Sequence, residues 1–197
     1  MQYLPQHNLA IVDVETTGGS SRYHRVIEIG ILRVENGKVV KKFNSLINPE
    51  CVVPSFITEI TGIKNSDVED APLFMDMQDE ILELFEDAIF VAHNVGFDYS
   101  FIQNEFARID REFNVPRLCT VRLSRKLFKE HHHHDLSSII RRMGLMCENR
   151  HRALDDAKVL WEFIKKIEAM GRGDELRTVM RQMITQPARP NVVFVDY

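Results

Sequence analysis

The pattern of hydrophobic and polar positions divides the first quarter of the chain into three predicted strands. Residues 9–14 form a nearly unbroken apolar run that ends in acidic side chains, which is typical of a buried central strand. Residues 26–34 and 39–47 are two further segments rich in Val and Ile. Between them lies Asn36-Gly37, a strong signal for a tight hairpin turn. The pattern therefore predicts an antiparallel meander of three strands.

Beyond residue 50, the apolar spacing alternates between that of helices and that of strands. Two further strands are predicted, at residues 88–92 and around Leu118. The predicted helices span residues 56–60, 72–86, 96–109, 121–128, 136–143, 153–169 and 174–183. This order predicts an α/β domain whose mixed five-stranded sheet is flanked by helices. We place this domain at residues 1–185 and interpret residues 186–197, with a stray strand at 192–195, as a C-terminal linker or arm.

Composition narrows the class of protein without revealing its chemistry. The chain has 197 residues, of which 44% are hydrophobic and 27% charged, so it is not disordered or fibrous. No apolar run approaches the roughly 18 residues needed to span a bilayer, and no leader segment opens the sequence. Three widely spaced cysteines form no disulfide framework or zinc motif. These features predict a protein of the reducing cytoplasm with no membrane partner.

Charge is unevenly distributed along the chain. The net charge of −4 argues against a protein that coats nucleic acid non-specifically. Residues 117–152 nevertheless contain nine Lys or Arg and three Asp or Glu, whereas residues 67–87 contain nine acids and no Lys or Arg. The two segments are either solvated faces or, for the basic one, a local anion-binding surface.

Carboxylates occur where two of the predicted strands end. Asp13 and Glu15 lie two positions apart at the end of the first strand, so their side chains share one face of the sheet. Asp98 follows the strand at 88–92 and lies on the inward stripe of the next helix. Simple exposure at a strand end, or a favourable position at a helix N-terminus, also accounts for these acids.

A third cluster precedes the helix at 153–169. Asp156 lies on the apolar stripe of that helix, whereas Asp155 leans toward its polar side. His151 lies five positions before Asp156, where a lone histidine is also typical of a cap or a surface residue. Together, four carboxylates and one histidine suit Mg²⁺ or Mn²⁺ better than zinc or copper. Two such ions with a histidine base are suited to phosphoryl transfer.

Three segments resemble, in order, the motifs of the DnaQ-like DEDDh 3′–5′ exonucleases, a family that includes the epsilon subunit of bacterial DNA polymerase III. The first segment is Asp13-Val14-Glu15-Thr16-Thr17-Gly18, the second is His93-Asn94-x-x-Phe97-Asp98, and the third is His151-x-Ala153-x-x-Asp156-Ala157. Residues 60–63 also resemble the family's segment near the primer-end pocket. The similarity covers residues 8–169, which is nearly the whole predicted domain.

The resemblance implies a ribonuclease H-like fold and a specific set of site residues. By resemblance, Asp13, Glu15, Asp98 and Asp156 bind two divalent cations, Mg²⁺ or Mn²⁺, and His151 deprotonates the attacking water. The products are nucleoside 5′-monophosphates. The candidate substrate-binding residues are Thr16, Thr17, Gly18, Asn94, Phe97 and Phe101. The two phenylalanines either pack in the core or lie against the terminal base.

The leading interpretation is an exonuclease that acts on a single-stranded or frayed 3′ end of DNA in proofreading or repair, beside a polymerase or repair complex. An RNA-trimming exonuclease of the same branch is the alternative, and a silent adaptor of a replication complex is a third. A narrower similarity, carried by residues 15–20, 97–99 and 118–122, is to exonuclease domains joined to UvrC-type endonucleases. The chain encodes no such second domain, so it either stands alone or is part of a longer protein.

A run of four histidines, residues 131–134, lies inside the chain and directly before Asp135. We predict a loop here, with Asp135 capping the helix at 136–143, rather than a metal site.

Overall fold

We describe residues 8–187 of a computed structural model of the chain. Three antiparallel strands come first in the chain: β1 (Asn8–Thr16), β2 (Val26–Glu35) and β3 (Lys38–Leu46). The turn between β2 and β3 contains Asn36 and Gly37, both with positive φ angles, of 49° and 74°. Two such residues match the twist of the flanking strands, and Asn and Gly tolerate them best. The predicted meander is confirmed.

Two parallel strands complete the sheet on the other side of β1. β4 (Ala88–Ala92) pairs with β1, and β5 (Arg117–Cys119) pairs with β4, so the order is β3-β2-β1-β4-β5. The carboxyl ends of β1, β4 and β5 therefore meet at one edge of the sheet. In open α/β sheets, ligands bind beyond this edge.

Helices cover both faces of the sheet because successive side chains of β1 point to opposite faces. Leu9 and Ile11 pack in one core, and Ala10 and Val12 pack in the other. Within the described residues, the α-helices are α1 (Ser55–Thr61), α2 (Asn65–Val68), α3 (Gln78–Glu83), α4 (Gly96–Arg108), α5 (Thr120–Leu127), α6 (Leu136–Met143), α7 (Ala153–Ile167) and α8 (Gly173–Met183). Buried residues of α5 to α8 belong to the first core, and those of α3 and α4 to the second.

The helix expected at residues 72–86 is shorter than predicted. A 3₁₀ helix, Phe74–Met77, comes first, and α3 follows it. The Leu73 N–H donates to Asp76 Oδ2 at 2.9 Å, a bond that fixes the tighter first turn. Met77, at φ −111° and ψ 2°, separates the two helices. Apolar spacing does not distinguish this interrupted helix from a continuous one.

Two smaller differences concern α2 and α7. The sequence pattern did not predict α2, because four residues are too few to establish a period. α7 ends at Ile167 rather than at residue 169, and a π-type turn, Glu168–Arg172, follows it. Gly171 within that turn has a φ of 76° and separates α7 from α8.

The histidine run lies between α5 and α6. The Ser138 N–H donates to Asp135 Oδ1 at 2.9 Å, so Asp135 caps α6 as predicted. His134 is buried, with Nδ1 2.8 Å from Ser124 Oγ and Nε2 2.9 Å from the His131 carbonyl. The loop is therefore fixed by its own hydrogen bonds.

The division into residues 1–185 and 186–197 stays a prediction, because most of the expected arm, including the strand at 192–195, lies outside the described residues. Thr185 exchanges two backbone hydrogen bonds with Arg117 of β5, at 3.0 and 2.9 Å, so the chain is still attached to the sheet there. Among residues 8–187, no helix is long and apolar enough to cross a membrane.

Candidate active site

The first two acids lie inside β1 rather than beyond its end. β1 continues to Thr16, and the cross-strand neighbours of Asp13 and Glu15 on β2 are Gly30 and Glu28. Asp13 and Glu15 point to the face that packs against α7, as the alternation with Leu9 and Ile11 requires. A register shift between Glu15 and Thr16 then turns the chain away from the sheet.

Asp98 reaches the same place from the first turn of α4. The strand-to-helix connection bends at Asn94, whose φ of 65° is one that Asn tolerates, and the Asn94 carbonyl accepts the Phe97 N–H at 2.8 Å. The Asp98 carboxylate is buried, and its Oδ1 accepts the Val14 N–H at 3.3 Å. This bond ties α4 to the acidic end of β1.

Asp156 and His151 arrive from the N-terminal end of α7. Asp156 is buried, and its Oδ2 accepts the His151 N–H at 3.2 Å. The His151 side chain is exposed. One side-chain ligand atom each of Glu15, His151 and Asp156 lie within 4.8 Å of one another. Residues separated by more than 130 positions in sequence thus converge at one sheet edge.

Burial and mutual repulsion shift the acid pKa values upward. The pKa of Asp98 rises to about 8, chiefly through burial and to a smaller extent through the nearby charge of Glu15. The pKa of Glu15 rises to about 7, chiefly through burial and then through the charge of Asp156. The pKa of Asp13 lies well above its usual range, because Asp13 is buried and faces Asp98. Such a cluster favours either protons or metal cations.

A cationic side chain from outside the three motifs pairs with one of the acids. The Arg150 guanidinium makes an ion pair with Asp156, and the Cys147 thiol lies 3.7 Å from Asp156 Oδ1. Arg150 lies one position before the third motif and within the basic segment of residues 117–152. The sequence showed that segment but gave no sign that one of its arginines reaches the acids.

The two adjacent acids at the start of α7 have different environments. Asp156 faces the site, whereas Asp155 Oδ1 lies 2.7 Å from Lys158 Nζ and its Oδ2 accepts from Asn149 Nδ2 at 2.9 Å. The structure thus agrees with the helix phase inferred from the apolar stripe.

Thr16, Thr17 and Gly18, expected to contact substrate, are all buried. The Thr16 hydroxyl donates to the Gly18 carbonyl at 2.8 Å, and the Thr17 hydroxyl accepts the Arg25 N–H at 3.0 Å. The hydroxyls of both threonines therefore already take part in bonds that shape the loop. The Cα of Gly18 lies against His24, since a Cβ built on Gly18 would lie 2.4 Å from the imidazole Cδ2.

The expected aromatic contacts separate into a core residue and a partly exposed one. Phe101 is fully buried in the core, so it presents no surface to a terminal base. Phe97 is partly exposed and rests on Phe101, with their ring centroids 4.8 Å apart. Asn94 is exposed beside them. Of the two rings, only Phe97 presents an exposed surface to a nucleotide.

Sequence reasoning missed one further residue at the site. Glu28 is fully buried beside Glu15 on β2, and its carboxylate binds Arg152 and the N-terminus of α7. A lone acid between Ile27 and Ile29 in a buried strand was the available signal.

Comparisons with known proteins agree with this geometry. The family model described as exonuclease, of the RNase T type, matches residues 10–163. The PolC-type DNA polymerase III of Caldanaerobacter subterraneus subsp. tengcongensis is 37% identical over 161 residues, which are 81% of this chain and 12% of that protein. The 3′–5′ exonuclease DinG of Bacillus subtilis is 35% identical over 158 residues, 78% of this chain and 17% of that protein. The chain thus spans less than a fifth of each of these two relatives.

Solved structures confirm the predicted ribonuclease H-like fold. Exonuclease X in complex with 5′-overhanging duplex DNA matches with a TM-score of 0.67 at 22% identity, over 87% of this chain and 99% of that one. The nuclease domain of 3′hExo, a DEDDh family member bound to rAMP, matches with a TM-score of 0.74 at 16% identity, over 93% and 98%. The chain belongs to the RNase T-type exonuclease family.

Proposed function

We propose that this chain is a 3′–5′ exonuclease that removes nucleoside 5′-monophosphates from DNA with the help of two divalent cations and a histidine base. The observation that carries the proposal is the convergence of Asp13, Glu15, Asp98 and Asp156 at one sheet edge, with the His151 imidazole beside them. One relative bears the name 3′–5′ exonuclease DinG, and this name supports degradation from the 3′ end.

The donor set fits hard divalent cations. Four carboxylates supply only oxygen ligands, as Mg²⁺ and Mn²⁺ prefer. The raised pKa values of Asp13 and Glu15 reflect negative charges that lack enough neutralising partners, since among residues 8–187 the ion pair to these four acids comes from Arg150. Asp13, Glu15, Asp98 and Asp156 would hold the ions. When bound, a pair of such ions stabilises the charge on the attacking and leaving oxygens of an in-line displacement.

His151 is suited to accept the proton of the attacking water. Its side chain is exposed to solvent, whereas the Asp98 and Asp156 carboxylates are buried. Its backbone N–H is fixed by Asp156, which holds the imidazole near Glu15. Histidine is the side chain that most often serves as a general base in enzymes. Phe97, which is partly exposed at the start of α4, would lie against the terminal nucleotide.

DNA is the substrate we favour. Two relatives that are 37% and 35% identical to this chain are named for a DNA polymerase and for the 3′–5′ exonuclease DinG. RNA is the second candidate, because structural neighbours include a 3′-exonuclease that recognises the histone mRNA stem-loop. The PolC-type relative also suggests a proofreading role within, or beside, a polymerase. The complete set of four acids argues against a catalytically silent adaptor.

Degradation of matched DNA and RNA oligonucleotides labelled at the 5′ end tests the proposal. We expect a ladder that shortens from the 3′ end, releases 5′-mononucleotides, requires Mg²⁺ or Mn²⁺, and is faster on DNA. The Asp13→Ala variant is the control for a contaminating nuclease and should be inactive. Faster degradation of RNA would favour the second candidate, and full activity in excess EDTA would refute the metal-dependent mechanism.

A further inference from the structure

Glu28 is a buried carboxylate that the cation-binding group does not include. Its side chain is fully buried in β2. Arg152 donates to it from Nε at 3.2 and 3.1 Å and from Nη2 at 2.7 Å, and the Ala153 N–H donates at 3.1 Å. A buried charge is tolerated only when it is paired and hydrogen-bonded. For Glu28, Arg152 and the Ala153 N–H, at the start of the α7 segment, fulfil that condition.

The same strand brings the backbone of α7 unusually close. A Cβ built on Gly30 would lie 2.3 Å from the Leu154 nitrogen and 2.4 Å from the Ala153 carbonyl carbon. Gly30 and Glu28 are the cross-strand neighbours of Asp13 and Glu15. The strand that backs the acids of β1 therefore also fixes the first turn of α7.

His151 lies directly before this fixed turn in a strained conformation. Its φ of 61° is uncommon for a residue other than glycine, and such conformations persist only where the surroundings enforce them. Asp156 holds the His151 N–H on one side. On the other side, Arg152 is in an extended conformation, φ −123° and ψ 120°, and its guanidinium is held by Glu28.

We infer that the Glu28–Arg152 ion pair is a positioning device that holds His151 in its left-handed conformation and so directs the imidazole toward the acids. The inference rests on the proposed function, in which His151 is the base. Arg152 contributes through His151, and neither Glu28 nor Arg152 contacts the reacting atoms.

Loss of the ion pair should lower the stability of the protein, because buried Glu28 would keep the Ala153 N–H but lose its charged partner, yet α7 has other anchors. The Arg152 side chain is 43% exposed, so its substitution leaves no buried cavity. α7 remains anchored by its apolar face, on which Leu160, Phe163 and Ile164 are fully buried. Loss of the Arg152 guanidinium should therefore loosen residues 150–153 rather than unfold the helix.

The test compares Arg152→Gln with Arg152→Lys, each alone and combined with His151→Ala, in steady-state degradation of a DNA oligonucleotide. Lys165→Gln is the matched control, since it breaks an ion pair with Glu162 on the same helix and Lys165 is also 43% exposed. We expect Arg152→Gln to lower kcat about 10–100-fold with little change in KM, the effect typical of a misplaced catalytic group. Arg152→Lys should restore part of the rate, and Lys165→Gln should match the unsubstituted protein.

The combined variant distinguishes positioning from a general structural role. In the His151→Ala background, Arg152→Gln should cause no further loss, because the residue that it positions is absent. An equal fold-loss in both backgrounds would overturn the inference, as would full activity of Arg152→Gln alone.

A second readout does not depend on catalysis. In the metal-free protein, hydrogen exchange of the His151 amide should be at least about tenfold faster in Arg152→Gln than in Lys165→Gln, because the strained turn opens more often. Equal exchange in the two variants would overturn the positioning role. If His151→Ala kept full activity while exchange behaved as expected, the proposed base would be wrong and the positioning role would stand.

Discussion

At the scale of single residues, the two adjacent acids at the start of α7 provide a sharp test of the site. Consecutive helix positions point about 100° apart, and here Asp156 is buried among the other acids while Asp155 pairs with Lys158. Asp156→Asn should remove most of the nuclease activity, since a charged ligand is lost. Asp155→Asn should keep near-normal turnover, since its carboxylate faces Lys158 and Asn149 and not the other acids. Steady-state kinetics of both purified variants measure the difference. A larger loss of activity in Asp155→Asn than in Asp156→Asn would mean that the third motif is assigned wrongly.

His151 carries the second prediction at this scale. His151→Ala should lower the rate about 10²–10⁴-fold, the range expected for loss of a general base. The rate of the unsubstituted protein should rise with pH along a limb that the variant lacks. Mn²⁺ binding measured by calorimetry should survive the substitution. If it is lost instead, His151 is a cation ligand, which its closeness to Glu15 and Asp156 would then explain.

The individual acids could be predicted from sequence because each has a local signature. A carboxylate at the end of a buried strand, or on the apolar stripe of a helix, interrupts the local hydrophobic pattern. The four acids do so, and they lie in three segments that resemble known motifs. Arg150 and Glu28 have no such signature. Glu28 contacts Arg152, 124 positions away, and only the folded chain displays that contact. Arg150 lies six positions before Asp156, but no local pattern indicates that its guanidinium turns toward that acid.

At the scale of secondary structure elements, the contact between β2 and α7 depends on one missing side chain. Gly30→Ala should push the first turn of α7 away from the sheet, because the new Cβ would meet backbone atoms at 2.3–2.5 Å. We expect a loss of about 1–3 kcal/mol in the free energy of unfolding, typical of overpacking, together with weaker Mn²⁺ binding. Urea unfolding measures the first effect. Gly19→Ala is the control, since a Cβ there meets nothing within 4 Å, and equal stability of the two variants would contradict this packing.

Elements with a sustained period were predictable, and interrupted ones were not. The sheet and α4 follow clear patterns of burial, and the hairpin turn has its own dipeptide signal. The 3₁₀ helix Phe74–Met77 has the apolar spacing of an ordinary helix, so the sequence pattern does not indicate the break before α3. The break lies at Met77, whose φ of −111° and ψ of 2° are not helical, and periodicity does not encode such a local change.

At the scale of the whole molecule, the charge distribution favours contact with only a few phosphates of a nucleic acid. α5 follows β5 directly at the site edge and exposes Arg122, Arg125 and Lys126, whereas the chain as a whole is acidic. We expect degradation to begin only at free 3′ ends, to favour single-stranded termini, and to weaken as salt rises. A covalently closed single-stranded circle should resist attack in the same assay, and its rapid cleavage would show endonuclease action.

The clustered acids also make the stability of the metal-free molecule depend on pH. The pKa values of Glu15 and Asp98, about 7 and about 8, exceed those of the unfolded chain, and the pKa of Asp13 is raised as well. Between about pH 5 and pH 8, the folded protein therefore binds more protons than the unfolded chain does. Stability falls with rising pH wherever this holds, by up to about 1.4 kcal/mol per pH unit for each extra proton.

Urea unfolding in EDTA should therefore show a free energy of unfolding that declines from pH 5 to pH 8. Excess Mn²⁺ should remove or reverse this decline, because the cation binds the ionised carboxylates and only the folded chain holds them together. Asp98→Asn should flatten the curve in EDTA, since it deletes one raised carboxyl and relieves repulsion on the others. A free energy of unfolding in EDTA that stays constant or rises over this range would contradict the prediction. It would mean that the acids do not take up extra protons in the folded state. The buried cluster would then lack the excess negative charge from which we infer its affinity for divalent cations.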